Sequence, residues 1–245
     1  MAAALNDSHR RFLQTIMSQG ILEGSVTRKL HRHCCETHKV YYKHDQLDEF
    51  IKNINGHLQP LFMEIRKGMS EDDGRQYYAL VNLAETEITR MASDYTETEL
   101  ELFKKTMDLV LESESGMVSS TDILNLADQL QPKKMKKKEV EQNDGEYILS
   151  TRCIMELEQY IRNMYQDLVK ECNICRNITL QGQTCEVCGA KIHLPCAAKY
   201  FRGRDEPCCP NCRQFWPHEI PDVNRTETSM PPPSFTPKMR RRHRE

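Results

Sequence analysis

The chain has 245 residues, with 34 Lys and Arg against 36 Asp and Glu and a formal net charge of −2. That length holds one or two ordinary domains or several small ones. A mean hydropathy of −0.69, with no run near the ~18 apolar residues a helical span needs, argues against a membrane protein. Balanced charge leaves any nucleic-acid contact to local patches, and Met1 to Arg11 lack the basic, apolar, small-residue order of a secretory signal.

Phe12, Leu13, Ile16 and Met17 recur at helical spacing, and Gly20 ends that run. A second helix is predicted from about Ser25 to His33. A third starts near Asp45, with Leu47, Phe50, Ile51 and Ile54 on its inner face. The period then changes: Leu61, Met63 and Ile65 alternate with Phe62, Glu64 and Arg66, the pattern of a strand. Asp72-Asp73-Gly74 reads as a turn, and Tyr77 to Val81 as the returning strand. Three helices followed by a hairpin is the order of a winged helix, assigned to residues 1–90.

The pattern restarts in residues 91–150. Helices are predicted over Glu97 to Glu112 and Asp122 to Gln131. Pro132 suits the first turn of a third helix that carries Lys133, Lys134, Lys136, Lys137 and Lys138. Asn143-Asp144-Gly145 is a turn and Glu146 to Leu149 a short strand. So few residues separate the lysine run from that turn that a full third helix and a first wing strand do not both fit; this second winged helix is expected to be truncated. Ile154, Leu157, Ile161, Met164 and Leu168 define a linking amphipathic helix over 151–169. Residues 219–245, with three consecutive prolines from Pro231 and a basic end, are expected to be a disordered tail.

Between these lies the strongest signal. Eight of the eleven cysteines fall between Cys172 and Cys212. The order is Cys172-x2-Cys175, nine residues, Cys185-x2-Cys188, four residues, His193-x2-Cys196, twelve residues, Cys209-x2-Cys212. Zinc takes four thiolate or imidazole ligands tetrahedrally, and a Cys-x2-Cys knuckle presents two sulfurs to one ion. Four such pairs predict two zinc ions. A block this small cannot bury a large apolar core, so the metal replaces one, contributing on the order of 10–16 kcal/mol at neutral pH. Cys208 is left out, because it would lengthen the last knuckle. Cys34 and Cys35, near His31, His33 and His38, match no familiar zinc spacing and read as a partly buried helix face.

The block, residues 170–218, resembles the RING family in the variant whose ligands run four cysteines, one histidine, three cysteines. The resemblance implies interleaved sites: Cys172, Cys175, His193 and Cys196 on one ion, Cys185, Cys188, Cys209 and Cys212 on the other. PHD fingers share the ligand order but place a Trp where this chain has Pro207. Ile174, inside the first knuckle, matches the RING position that meets a ubiquitin-conjugating enzyme. Pro210 gives the Cys-Pro-x-Cys ending, and Arg213 matches the cation that bridges the conjugating enzyme and ubiquitin. A RING supplies no nucleophile, and no catalytic triad or phosphate loop is visible.

The whole order is similar to one family, the non-SMC element 1 subunit of the SMC five–six complex. The stretches that carry the likeness are "HRRFLQ" from His9, "EDDGR" from Glu71, "SSTDILNLADQL" from Ser119, the cysteine block and "WPHEIP" from Trp216. The second winged helix departs from the family by being shorter. The expected fold class is therefore mainly α with small β: tandem winged helices, the second truncated, followed by a zinc-binding variant RING. The resemblance implies a nuclear, chromosome-associated ubiquitin ligase subunit acting in DNA repair by homologous recombination. It also implies a MAGE-type partner on the winged helices, a kleisin subunit bound to that pair, and a ubiquitin-conjugating enzyme on the RING. Two alternatives come from other classes: a non-catalytic structural subunit, and a DNA-binding module using Lys133 to Lys138. Groove insertion by the third helix of the first unit is disfavoured by Asp45, Asp48 and Glu49, set against Lys52 alone.

Overall fold

The computed structural model describes residues 4–84, 95–130, 140–143, 145–204 and 206–221. Helix α1 (Asp7–Gln19) starts with a capping box: the Asn6 side chain accepts the His9 N–H at 3.1 Å, and the His9 ring accepts the Asn6 N–H. Strand β1 (Ile21–Glu23), helices α2 (Gly24–Thr37) and α3 (Leu47–Leu58), and strands β2 (Met63–Met69) and β3 (Gln76–Asn82) follow. This is the helix and hairpin order that the sequence predicts, with β1 added at the edge of an antiparallel β1-β3-β2 sheet. Phe12, Ile16, Phe50 and Ile54 meet in its core beside the buried Cys34 and Cys35.

The start of β2 differs from the periodicity. The expected strand from Leu61 begins only at Met63, because Gln59–Leu61 forms a 3-10 turn and Phe62 turns left-handed at φ +54°. The Asn55 side chain fixes the start of β2, accepting from the Ile65 N–H at 2.8 Å and donating to the Ile65 carbonyl at 3.0 Å. The apolar side chains of Leu61 and Phe62 are left exposed.

The second unit comprises α4 (Glu97–Glu112), β4 (Val118–Ser119), α5 (Ser120–Leu130), β5 (Val140–Asn143) and β6 (Glu146–Leu149), with sheet order β4-β6-β5. Of the third helix and the first wing strand that are not expected to fit together, the strand is present: β5 pairs with β6 from Val140↔Leu149 to Asn143↔Glu146. A two-residue connection uses so little chain that four residues suffice for the strand. The helix expected to carry Lys133 to Lys138 lies outside the described residues.

Helix α6 (Thr151–Met164) begins with the Ser150 side chain accepting the Cys153 N–H at 3.2 Å. It ends at Met164, short of the predicted residue 169; the chain turns at Tyr165, whose hydroxyl donates to Asp108. This helix joins the parts. Cys153, Leu157 and Ile161, four apart, pack with α4 and with Ile178 and Leu180 beyond it, while Met155 lies on Ala79 and Val81 of the first sheet. The last part has two small antiparallel pairs, β7 (Lys170–Glu171) with β8 (Ile178–Thr179) and β9 (Gln183–Thr184) with β10 (Lys191–Ile192), then α7 (Leu194–Phe201). Among the described residues, no helix is long and apolar enough to cross a membrane.

Candidate metal centre

Three of the four ligand pairs sit on one repeated backbone turn. In each, the residue after the second cysteine is left-handed: Arg176 at φ +65°, Gly189 at +70° and Arg213 at +60°. Its N–H returns to the carbonyl of the first cysteine, Arg176 to Cys172 at 2.9 Å, Gly189 to Cys185 at 2.8 Å and Arg213 to Cys209 at 3.0 Å. The N–H of that first cysteine in turn reaches a carbonyl beyond the turn, Asn177, Ala190 or Gln214. These bonds curl each knuckle so that both sulfurs face one point. The fourth pair is built differently. His193 is the N-cap of α7 and Cys196 lies in its first turn, so helical spacing brings imidazole and thiol together.

The turns gather two clusters, Cys172, Cys175, His193 and Cys196 in one and Cys185, Cys188, Cys209 and Cys212 in the other. Within each, the ligand atoms lie within 4.8 Å of one another. In the second, Cys185 and Cys212 sulfurs are 3.7 Å apart, as are those of Cys188 and Cys209. Ligands at the ~2.3 Å of a zinc–thiolate bond lie about 3.8 Å apart along a tetrahedron's edge. In the first, His193 Nδ1 is 3.3 Å from Cys175 Sγ and 3.9 Å from Cys196 Sγ, on either side of the about 3.5 Å expected for a mixed sulfur–nitrogen edge. Both clusters thus have the donors and the dimensions to hold zinc. Among the described residues no third such cluster forms. His31, Cys34 and Cys35 are core residues, and burial pushes the Cys34 thiol up to about 11, away from the thiolate a metal needs.

Zinc must displace protons from its ligands, and the surroundings pull in both directions, lowering Cys172 and Cys188 but raising His193, Cys196, Cys209 and Cys212. Hydrogen bonding from Cys196, then from His193, outweighs burial and pulls the Cys172 thiol down. The backbone N–H of Ala190 and the side chain of Asn211 lower Cys188 to about 6. For His193 burial opposes charge, but hydrogen bonds with Cys172 and Glu71 prevail and hold it up at about 10.

Between the clusters lies a small core of Ile192, Ala197, Phe201 and Trp216. The Trp216 indole donates to Gln183 Oε1 at 2.9 Å, and its ring centre is 5.4 Å from that of Phe201. Of the remaining predicted residues, Ile174 is 37% exposed inside its knuckle, Pro210 is half-buried and Arg213 is exposed. Lys133, Lys134, Lys136, Lys137 and Lys138 lie outside the described residues.

Three features escaped the sequence reading. Val187, in the second knuckle, and Phe215 are more exposed than Ile174, at 68% and 65%; their place between and after ligand cysteines was the available signal. Glu71, at the β2–β3 turn, is buried with its carboxylate 3.0 Å from His193 Nε2. An acidic residue in a turn otherwise gives no sign of such a contact.

Residues 9–144, more than half of the chain, match the protein family described as the Nse1 non-SMC component of SMC5-6 complex. The chain belongs to that family. Residues 172–212, the span of the two clusters, match a RING-like domain. A Xenopus laevis relative, non-structural maintenance of chromosomes element 1 homolog, is 58% identical over 99% of this chain and 95% of its own length. The Homo sapiens homolog is 51% identical over 89% and 87%. The Nse1 family extends to a Schizosaccharomyces pombe protein 24% identical over 86% and 93%. A solved chain from an Nse1-Nse3-Nse4 complex is 57% identical, with a TM-score of 0.78, covering 89% of this chain and 100% of that one.

Proposed function

We propose that this chain is the RING-type ubiquitin ligase subunit of an SMC five–six complex, working on nuclear chromosomes in DNA repair by homologous recombination. The observation that carries the reading is the first knuckle: Ile174 is exposed between Cys172 and Cys175, which belong to one of two zinc-dimensioned clusters. No nucleophile is needed. Ile174, Pro210 and Arg213 hold a ubiquitin-loaded conjugating enzyme so that the thioester meets a lysine amine at high effective molarity. The helical and hairpin units of residues 1–90 and 91–150, read as winged helices, bind a MAGE-type subunit, and a kleisin subunit joins that pair. The solved relative from an Nse1-Nse3-Nse4 complex supports this assembly.

Discharge of a ubiquitin-loaded conjugating enzyme onto free lysine, measured with the partnered protein across a broad enzyme panel, tests the reading. Acceleration that Ile174→Ala abolishes, with two zincs and the assembly retained, is the expected result; no acceleration with any enzyme overturns it. A second reading, a structural subunit whose zinc module only cements the assembly, draws support from the buried Glu71–His193 contact. It predicts that Ile174→Ala changes nothing. Direct DNA contact rests on Lys133 to Lys138 alone and predicts salt-dependent DNA retention that weakens when they are neutralised.

A further inference from the structure

Glu71 comes from the first unit, far upstream of the zinc module, yet it ends inside that module. One carboxylate oxygen accepts the Leu180 N–H at 2.8 Å and lies 3.0 Å from His193 Nε2; the other accepts the Gln181 N–H at 3.3 Å. The Ile178 carbonyl is 2.9 Å from the same ring nitrogen. Nδ1, across the ring, faces Cys175 and Cys196. Two acceptors at Nε2 keep the proton there and leave the Nδ1 lone pair for a metal. This is how outer-shell groups orient a metal-bound imidazole.

The surroundings argue against an accidental contact. A buried carboxylate costs several kcal/mol unless it is paired, and Glu71 has two backbone donors, the imidazole and the Lys191 ammonium close by. Lys191 itself donates to the Leu180 carbonyl at 2.7 Å. The turn around Glu71 is wedged in place. A Cβ on Gly74, at φ +67°, would lie 2.5 Å from Pro195 Cβ, one residue from His193's helix start. Met69 packs against the core between the two clusters.

We propose that Glu71 is a positioning residue for the Cys172, Cys175, His193 and Cys196 site, supplied by the β2–β3 hairpin from outside the zinc module. Hairpin docking and zinc retention at that site are then one coupled equilibrium, while the all-cysteine site carries no such dependence. Linkage makes the coupling reciprocal: whatever removes that zinc loosens the hairpin, and whatever pries the hairpin away weakens that zinc. The inference rests on both clusters holding zinc, so the wild-type metal content is measured first.

The test uses the full chain, wild type, Glu71→Ala and Glu71→Gln. Zinc release to a chromogenic chelator is followed in time, and cobalt substitution distinguishes the site with three sulfurs and one nitrogen from the site with four sulfurs by their absorption bands. Glu71→Ala is expected to release one of two zincs on the order of 10–100-fold faster than wild type, with the cobalt bands of the mixed site alone altered. Glu71→Gln keeps an acceptor for the Leu180 N–H but loses the charge, and is expected to fall between. Hydrogen exchange of residues 70–76 should accelerate when the metal is chelated. Release of both zincs at wild-type rates from Glu71→Ala overturns the proposal, as does equal acceleration of both, which marks general loosening. If Glu71→Ala does not fold, wild-type release and mixed-site bands in Glu71→Gln overturn it. Fewer than two zincs in the wild type removes the zinc reading, and the proposal with it.

Discussion

Gly68 and Met155 approach so closely that a Cβ on residue 68 would lie 2.5 Å from the Met155 sulfur and 2.6 Å from its Cγ. The contact seats helix α6 directly on strand β2, and Arg66 beside it donates to the Met155 carbonyl at 2.9 Å and to Glu158 at 3.3 Å. Gly68→Val is therefore expected to destabilise the protein by about 1–3 kcal/mol in urea unfolding, through overpacking. Met155→Ala alone should cost about 2–5 kcal/mol through the cavity it leaves. The double variant should be more stable than the sum of the two predicts, because the smaller side chain makes room for the valine. Simple additivity would show that the two residues do not compete for this space.

The second prediction separates the adjacent cysteines. Cys209 closes a 3.7 Å contact with Cys188, whereas Cys208 is half-buried and pairs through its backbone with Phe215. Native mass spectrometry should count two zincs on the wild type and on Cys208→Ala, but one or none on Cys209→Ala. Equal counts for the two variants would mean that the last knuckle is assembled from the other sulfur.

How much of this was legible in the sequence follows from the range of the forces involved. The knuckles were readable because a Cys-x2-Cys turn is closed by its own backbone bonds, such as Arg176 N–H to the Cys172 carbonyl. Helices α1, α3 and α4 were readable from their apolar period, and the end of α1 from Gly20. The start of β2 was misplaced because alternation alone sets no boundary; the Asn55 side chain, on another element, decides where the ladder begins. Strand β5 was missed because chain length was weighed against a full helix rather than against the short connection a hairpin needs. Glu71 lay beyond any local pattern, since its partners at Leu180, Gln181 and His193 are brought to it only by tertiary packing.

Arg213 offers a way to remove a side chain without harming its backbone. It holds φ +60°, a region that costs residues other than glycine roughly 1–2 kcal/mol. Arg213→Gly lifts that strain, offset in part by glycine's greater loss of freedom on folding, about 0.5–1 kcal/mol. Zinc content and thermal stability should therefore hold at wild-type levels. If the guanidinium bridges conjugating enzyme and ubiquitin, thioester discharge should fall roughly 10–100-fold, the worth of a hydrogen bond to a charged group. Arg176→Gly makes the same backbone change at φ +65° in the first knuckle and is the control. Equal discharge by both variants would leave Arg213 with no part in transfer.

The buried thiol of Cys34 predicts an alkaline limit to stability. Burial, then the neighbouring Cys35, raises it to about 11 against an ordinary 9.0, with Arg11 opposing. Burial also raises Cys35, with Glu36 adding to the effect. Between about pH 9 and 11 the unfolded chain has lost the Cys34 proton while the folded chain keeps it. The unfolded state then binds fewer protons, so stability falls as pH rises through that window and levels off above it. Urea midpoints at pH 8, 9.5 and 10.5 should decline for the wild type. The decline should be shallower for Cys34→Ala, although that variant is less stable at pH 8 because it leaves a small cavity beside Phe12 and Phe50. At pH 7.5, iodoacetamide should leave Cys34 and Cys35 unmodified in the folded protein and modify both in urea, read by peptide mass. Rapid labelling of Cys34 in the native state would show that this helix face is open to solvent and its thiol ordinary.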